Sequence, residues 1–186
     1  MKRKAILGIT GSPGTGKKSV GMLLAGLLNF KFLDLNNFAK ESSLIQKDGY
    51  VDTNRLRKQV LKNIKGGGVV VAGHLLPNVL SKGEVDFVAV LRCSPKELEK
   101  RYLARGYSES KIKSNVSAEI LDICLADAIR SFGGDVVAEF DTSLRDTPKV
   151  AEDVVAAFTN PQSGSVGKVR WLSGRNAKTL IKLYLS

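Results

Sequence analysis

The chain has 186 residues, of which 43% are hydrophobic and 25% are charged, a balance typical of one globular domain rather than of a disordered or membrane-spanning protein. Its net charge of +11 favours polyanionic partners, although a merely soluble basic surface is the plain alternative. No apolar run approaches membrane-spanning length, and the run from Ala5 to Ile9 is too short for a signal peptide, so we expect a cytoplasmic protein that does not bind membranes.

Short runs rich in Val, Ile and Leu alternate with longer amphipathic segments, the pattern of a parallel sheet covered by helices. Near-continuous apolar strands of this kind are buried on both faces. The predicted class is α/β, with helices on both faces of a five-stranded parallel sheet. We place the strands at Ala5 to Thr10, Lys31 to Leu35, Val69 to Ala72, Val85 to Leu91 and Val136 to Phe140.

Local capping signals predict the helices between these strands. Ser94, Pro95 and Glu97 form a predicted capping box, and Gly133 is a predicted helix end. The other predicted helices are Thr53 to Lys65 after Asp52, Glu109 to Phe132 after Ser108, and Thr147 to about Phe158.

The composition changes after Asn160. A Pro, Gln, Ser and Gly cluster at 160–167 predicts a linker. Beyond it we predict a short strand at Val169 to Trp171 and a small helix at Asn176 to Leu185. The tail supplies +5 of the net charge and has no acid; its basic residues are Lys168, Arg170, Arg175, Lys178 and Lys182. Two roles are open: an RNA-binding arm, or a tail folded onto the domain through Trp171, Leu172, Leu180 and Leu183.

The segment from Gly11 to Lys17 has the spacing of a phosphate-binding loop (P-loop) and stands between a predicted strand and a predicted helix. Glycines let the backbone amides bend around an anion, and the helix N-terminus adds free amides. Lys17 would reach the β and γ phosphates of a nucleoside triphosphate, predicted to be ATP. The residues predicted to bind it are Gly11, Pro13, Gly14, Thr15, Gly16, Lys17, Lys18 and Ser19. A glycine-rich turn with an incidental lysine is the less favoured alternative.

Lys18 stands where the motif has a Ser or Thr that binds Mg²⁺, and a lysine is only a donor that repels a cation. Ser19 points in a different direction on a helix and is a better candidate for a phosphate contact. Two explanations are open. Lys18 neutralises phosphate charge, or it faces solvent; in the latter case Mg²⁺ is held mainly by phosphates and water.

Further motifs accompany the loop: the segment Asp34 to Glu41, Val90 to Arg92, Arg105 to Glu109 with Lys111 and Asn115, and Ala118 to Ile120. With them, the chain from about Ile6 to Phe158 resembles the adenylate kinase isoenzyme 6 family, small P-loop kinases that also serve small-ribosomal-subunit maturation. The resemblance implies a P-loop NTPase three-layer sandwich with a small lid. It divides the chain into a nucleotide kinase domain at 1–159, with a monophosphate-binding region at about 34–50 and a lid at about 105–115, and a basic extension at 160–186.

The resemblance implies a nucleoside monophosphate kinase that transfers the ATP γ-phosphate to AMP or a related monophosphate, with ATPase activity and a role in rRNA maturation. Its catalytic residues would be Lys17, Arg105 and His74. The spacing of Arg101 and Arg105 is expected to point both guanidiniums toward one phosphate cluster. The residues proposed to hold the acceptor are Asn36, Asn37 and Lys40.

His74 lies two residues after Ala72. In the family that the chain resembles, the position of Ala72 is an Asp near magnesium. Asp34 could compensate by holding a metal-bound water, or could only cap the next helix. Because Lys18 and Ala72 remove both protein groups expected near the metal, two alternatives stay open. One is a nucleotide-binding ribosome-assembly factor with ATPase or no catalytic activity, whose partners would be a platform protein and pre-rRNA; the other is a nucleotide-binding pseudoenzyme.

Overall fold

The computed structural model describes residues 4–46, 49–160, 164–173 and 176–185. Five strands form one sheet in the order β2-β3-β1-β4-β5, and every pairing is parallel. The predicted α/β class is therefore confirmed, and the strand bounds differ from the predicted ones by at most two residues. The strands are β1 Ile6–Thr10, β2 Lys31–Asp34, β3 Val69–Ala72, β4 Phe87–Arg92 and β5 Val137–Asp141.

Helices cover both faces of the sheet. On one face α1 and α8 pack on apolar side chains of the sheet such as Ile9; on the other, α2, α3, α4 and α7 enclose Val71 and Val88. The strands β1, β3 and β4 are buried along their whole length, which explains their uninterrupted apolar sequences. The helices are α1 Lys17–Leu28, α2 Leu35–Glu41, α3 Thr53–Ile64, α4 Leu76–Val79, α5 Pro95–Leu103, α6 Glu109–Ile120, α7 Ile123–Phe132, α8 Thr147–Thr159 and α9 Ala177–Leu180.

The predicted single helix from Glu109 to Phe132 was wrong, because Leu121 and Asp122 separate α6 from α7. Asp122 has a left-handed backbone with φ 57°, a conformation that Asp tolerates better than most residues. The break lets α6 pack on α5 while α7 packs on α4 and the sheet. Hydrophobic periodicity does not reveal such a change of packing partner.

The predicted capping box at the start of α5 does not form. The Ser94 side chain makes no capping hydrogen bond; its backbone N–H donates to Ser143 Oγ at 2.8 Å, and Glu97 instead pairs with Arg101. Asp52 does cap α3, accepting from the Arg55 N–H. Local sequence therefore located the helix starts, whereas tertiary contacts chose some of the partners.

The described parts of the C-terminal tail lie against the domain. Tyr184 is buried with Leu98, Tyr102 and Val116, and its carbonyl oxygen accepts from Ser117 Oγ at 2.6 Å. No strand forms at 169–171, and the last helix is α-helical only over Ala177–Leu180 before a π-helical turn at Ile181–Leu185.

The packing residues of the tail differ from the expected set. Trp171 and Leu180 do contact the domain, but Leu172 and Leu183 are 39% and 57% exposed. Arg175 and residues 161–163 of the predicted linker lie outside the described residues. Within the described ranges, no helix has the length and apolar character needed to span a membrane.

Candidate functional site

The loop between β1 and α1 has the backbone that a phosphate cradle requires. Gly11, Gly14 and Gly16 have φ angles of 137°, 82° and 90°, which glycine adopts without strain. A Cβ at Gly11 would also stand 2.2 Å from the Leu91 carbonyl oxygen. The first amides of α1 have no acceptor within the helix, so the loop and helix together present N–H groups to an anion.

Lys17 folds back over this loop. Its Nζ donates to the carbonyl oxygens of Gly11 and Ser12, each at 2.7 Å. Desolvation by burial lowers the Lys17 pKa to about 8, although the lysine remains mostly protonated at neutral pH. A cation is thus held at the mouth of the amide cradle, where the phosphates of a nucleotide would lie.

Neighbouring elements hold three carbonyl groups of the loop. Tyr102 Oη donates to the Pro13 carbonyl at 2.6 Å, and Arg101 Nη1 donates to the Gly14 carbonyl at 3.0 Å. Thr142 Oγ1, after β5, donates to the Thr15 carbonyl at 3.1 Å. These bonds satisfy three carbonyls of the loop from outside, so those carbonyls need no donor from within the loop. The Thr15 N–H does donate within the loop, to the Ser12 carbonyl at 3.4 Å.

Arg101 and Arg105 do not share the role expected from their spacing. The Arg101 guanidinium bonds the carbonyls of Gly14, Thr142 and Ser143. Arg105 lies beyond the end of α5 and lines an open cleft beside the P-loop, which is described below. The helix ends at Leu103, so the four-residue spacing no longer puts the two guanidiniums on one helical face. Arg101 supports the loop and Arg105 faces the ligand space.

An open cleft of about 580 Å³ collects most of the predicted site residues. Those that line it are Pro13, Gly14, Gly16, Lys17, Lys18, Ser19, Asn36, His74 and Arg105. Three further lining residues had no assigned binding role: Tyr107, Lys111 and Asn115. Asp34, which the sequence offered either as a holder of a metal-bound water or as a helix cap, also lines the cleft. The lining does not include Gly11 and Thr15, which lie within the loop, or Asn37 and Lys40 on α2.

The residues of the predicted lid region that line the cleft are Arg105, Tyr107, Lys111 and Asn115. Lys111 Nζ lies 4.0 Å from the Tyr107 ring centre, and Tyr107 stacks on Tyr102 with ring centres 5.4 Å apart. The Asn115 Nδ2 atom is buried and has no hydrogen-bond partner within the described structure. This wall therefore presents two cations, Arg105 and Lys111, of which Lys111 lies against the stacked Tyr107 ring.

His74 also lines the cleft, just beyond the end of β3. Although its side chain is open to solvent, desolvation by the cleft lowers its pKa and the Lys17 charge lowers it further. The imidazole is therefore neutral at physiological pH. A neutral imidazole can orient a water or an acceptor by hydrogen bonding without adding a positive charge.

The metal-binding potential of the cleft is small. Ala72 is 3% exposed and packs in the apolar cluster with Ile9, so the end of β3 offers no carboxylate. Asp34 lines the cleft, and its Oδ1 caps α2 by accepting from the Asn36 and Asn37 N–H groups. Among the described residues, no cluster of three His, Cys, Asp or Glu side chains could hold a metal. The residues fit a polyphosphate and leave Asp34 as the one acid in the cleft lining.

A buried charged cluster beneath the loop was missed by the sequence interpretation. Arg92 forms ion pairs with Glu119, Glu139 and Asp122. The side chains of Arg92, Glu119 and Glu139 are at most 1% exposed. Glu119 Oε2 accepts from Ser12 Oγ at 2.6 Å. Arg92 and Glu119 stood in the motifs Val90 to Arg92 and Ala118 to Ile120, but only the fold shows that they pair.

Comparison with known proteins agrees with this architecture. Residues 7–122 match a family model described as "AAA domain". Proteins named "Putative adenylate kinase" are 35% identical in Pyrococcus furiosus, with 89% of this chain and 91% of the relative covered, and 31% identical in Thermococcus kodakarensis, with 89% and 92% covered.

Solved structures show the same fold at low sequence identity. A shikimate kinase from Aquifex aeolicus has a TM-score of 0.57 at 16% identity, covering 86% of this chain and 99% of that one. A gluconokinase from Sinorhizobium meliloti has a TM-score of 0.55 at 16% identity, covering 86% and 95%. These two likenesses concern the fold alone.

Proposed function

We propose that this protein is a nucleoside monophosphate kinase. The premise is its family: the chain belongs to the AAA-domain family and to the group of archaeal proteins named putative adenylate kinase. ATP would donate its γ-phosphoryl group to AMP or a related monophosphate. The observation that carries the proposal is the cleft itself, in which Lys17 and Arg105 face the same space as Asn36 and His74. The finer resemblance to adenylate kinase isoenzyme 6 belongs to this proposal.

The reaction needs positioning and charge stabilisation more than covalent chemistry. An oxygen of the acceptor phosphate forms a bond to the γ-phosphorus while the bond from that phosphorus to the β–γ bridging oxygen breaks, leaving ADP. The acceptor phosphate is already deprotonated, so no general base is required. The P-loop amides, Lys17 and Arg105 stabilise the charge on the transferred group.

The remaining residues have roles in binding. Asn36 would hold the acceptor from the cleft wall, and Asn37 and Lys40 would approach it when the region at 34–50 closes. Movement of the segment that carries Arg105 and Lys111 would exclude water. Mg²⁺, when bound with the nucleotide, supplies further neutralisation of phosphate charge; Asp34 is the residue placed to orient a water in its shell.

A second candidate is a nucleotide-binding protein that hydrolyses ATP slowly or not at all, such as a factor in small-subunit assembly with a platform protein and pre-rRNA as partners. Ala72 and Lys18 favour it, because the first leaves the end of β3 without a carboxylate and the second places a cation where a metal-binding hydroxyl is usual.

The deciding experiment measures ADP formation from ATP with and without AMP, and with and without Mg²⁺. A kinase makes two ADP for each AMP consumed, and Lys17→Ala abolishes the reaction. ADP formation at the same rate with and without AMP would identify an ATPase. ATP binding with no turnover under any condition would reject the kinase proposal and support the second candidate.

A further inference from the structure

The segment at 164–173, here called the C-terminal segment, donates hydrogen bonds to two buried carboxylates. The Val169 N–H donates to Glu139 Oε1 at 2.9 Å. Trp171 Nε1 donates to Glu119 Oε1 at 3.0 Å. Both carboxylates flank Arg92, whose guanidinium carbon also lies 5.9 Å from the centre of the Trp171 ring.

These donors matter because the cluster contains more negative than positive charge. One guanidinium, that of Arg92, faces the carboxylates of Glu119, Glu139 and Asp122. A buried carboxylate is stable only when hydrogen bonds replace its lost hydration. The C-terminal segment supplies one such bond to Glu139 and one to Glu119.

Glu119 carries the connection to the P-loop. Its Oε1 accepts from Arg92, from the Cys93 N–H and from Trp171, and its Oε2 accepts from Ser12 Oγ at 2.6 Å. The Ser12 carbonyl oxygen in turn accepts from Lys17 Nζ at 2.7 Å. A continuous path of hydrogen bonds therefore runs from Trp171 through Glu119 and Ser12 to Lys17.

We propose that Trp171 and Glu119 are positioning residues of the nucleotide site, and that docking of the C-terminal segment and binding of ATP strengthen each other. Together with Arg92 and the Cys93 N–H, Trp171 orients the Glu119 carboxylate. The carboxylate in turn bonds Ser12, whose carbonyl oxygen bonds Lys17. Coupling between two sites is reciprocal, so ATP binding must also tighten the contact at Trp171. The inference rests on the ATP-binding part of the proposed function.

The first test is Trp171→Phe in the full chain. Phenylalanine keeps an aromatic ring over Arg92 and removes the N–H donor. We expect the dissociation constant for ATP, measured by calorimetry at 25 °C, to rise by about three- to tenfold, toward the lower end of typical couplings between two sites. The KM for AMP is expected to stay unchanged, because the path ends in the P-loop.

The matched control is Leu172→Ala at the next position. Leu172 is 39% exposed and has no polar side-chain atom, so its truncation leaves the path intact. ATP affinity equal to wild type in Trp171→Phe would overturn the inference, even if the melting temperature fell, since a purely structural role predicts that pattern. A wild-type chain that does not bind ATP would instead contradict the proposed function.

The second test uses fluorescence, because Trp171 is the only tryptophan in the chain. Saturating ATP is expected to change the emission of the wild type. Ser12→Ala breaks the path between Glu119 and the loop, and is expected to reduce the emission change even at ATP concentrations that calorimetry shows to be saturating. If ATP does not change the emission of the wild type, or changes that of Ser12→Ala equally, the proposed coupling is overturned.

Discussion

Tyr102 Oη donates a 2.6 Å hydrogen bond to the Pro13 carbonyl oxygen, so a fully buried side chain of α5 supports the P-loop. Tyr102→Phe removes this bond and keeps the ring stacked on Tyr107. We expect the free energy of unfolding to fall by about 1 kcal/mol and the KM for ATP to rise severalfold, as measured by urea unfolding and steady-state kinetics. An unchanged KM would show that the loop keeps its shape without the bond.

The lowered pKa of Lys17 predicts how ATP affinity depends on pH. Burial brings the pKa to about 8, so the free protein loses the Lys17 charge as the pH rises through 8. Phosphate binding needs that charge, and we expect the dissociation constant for ATP to be flat below pH 8 and to rise by up to about tenfold per pH unit above it. Calorimetry between pH 6.5 and 9.5 measures this directly.

The control is Lys17→Arg, since a guanidinium stays charged over the whole range. Whatever the absolute affinity of Lys17→Arg for ATP, its dissociation constant should not rise above pH 8. The same pKa predicts the opposite trend for the free energy of unfolding, which should increase between about pH 8 and 10.5, because the unfolded chain then holds a proton that the folded chain has released. A pH-independent affinity in the wild type would contradict the assignment.

The two arginines of α5 and its following loop should differ in kinetic effect. Arg105→Ala removes a cation that lines the cleft and that we propose to stabilise the transferred group, so we expect kcat to fall by about 10²-fold or more. Arg101→Ala removes a donor to the Gly14 carbonyl and should act mainly by raising the KM for ATP. Steady-state kinetics of both variants separate these effects, and the reverse pattern would mean that the roles are exchanged.

Lys18 offers a test of how the metal is held. Lys18 is exposed and lines the cleft. Lys18→Thr supplies a hydroxyl and removes a cation, so we expect the Mg²⁺ concentration for half-maximal activity to fall severalfold. Lys18→Ala removes the charge alone. If both variants behave alike, the hydroxyl is not a metal ligand in this chain and charge repulsion explains the effect.

Asn115 carries a buried, unpartnered Nδ2 atom within the described structure. Asn115→Leu is similar in volume and removes that donor, so we expect the free energy of unfolding to rise by about 1 kcal/mol. Because Asn115 lines the cleft, catalytic efficiency should not rise with it. Urea unfolding measures the change, with the exposed Ser114→Ala as control; a loss of stability would show that the amide has a structural partner.

Much of the fold was predictable because its signals are local. Buried parallel strands such as Val69–Ala72 are apolar without alternation, and the glycines of the P-loop are required by their backbone angles. Asp52 was recognisable as a cap because its partner, the Arg55 N–H, is three residues away. These interactions lie within a few residues of sequence, where spacing is informative.

Sequence interpretation failed where a residue's partner is distant in the chain. Glu119 was noted only as part of a motif, yet it bonds Ser12 and Arg92, which are 107 and 27 residues away. Arg101 was expected to face the phosphates, but the loop after β5 provides carbonyls that hold its guanidinium. Spacing along one helix could not reveal those acceptors.

The sequence by itself determined the α/β class, the P-loop and the lysine that serves it, because strand burial and loop geometry depend on residue type at fixed local spacing. Tertiary structure alone decided that Leu121 and Asp122 separate α6 from α7, that Arg101 supports the loop while Arg105 faces the cleft, and that Trp171 reaches Glu119. Each of those outcomes depends on which groups the folded backbone brings within hydrogen-bonding distance, and that distance is set only when the sheet and its helices pack together.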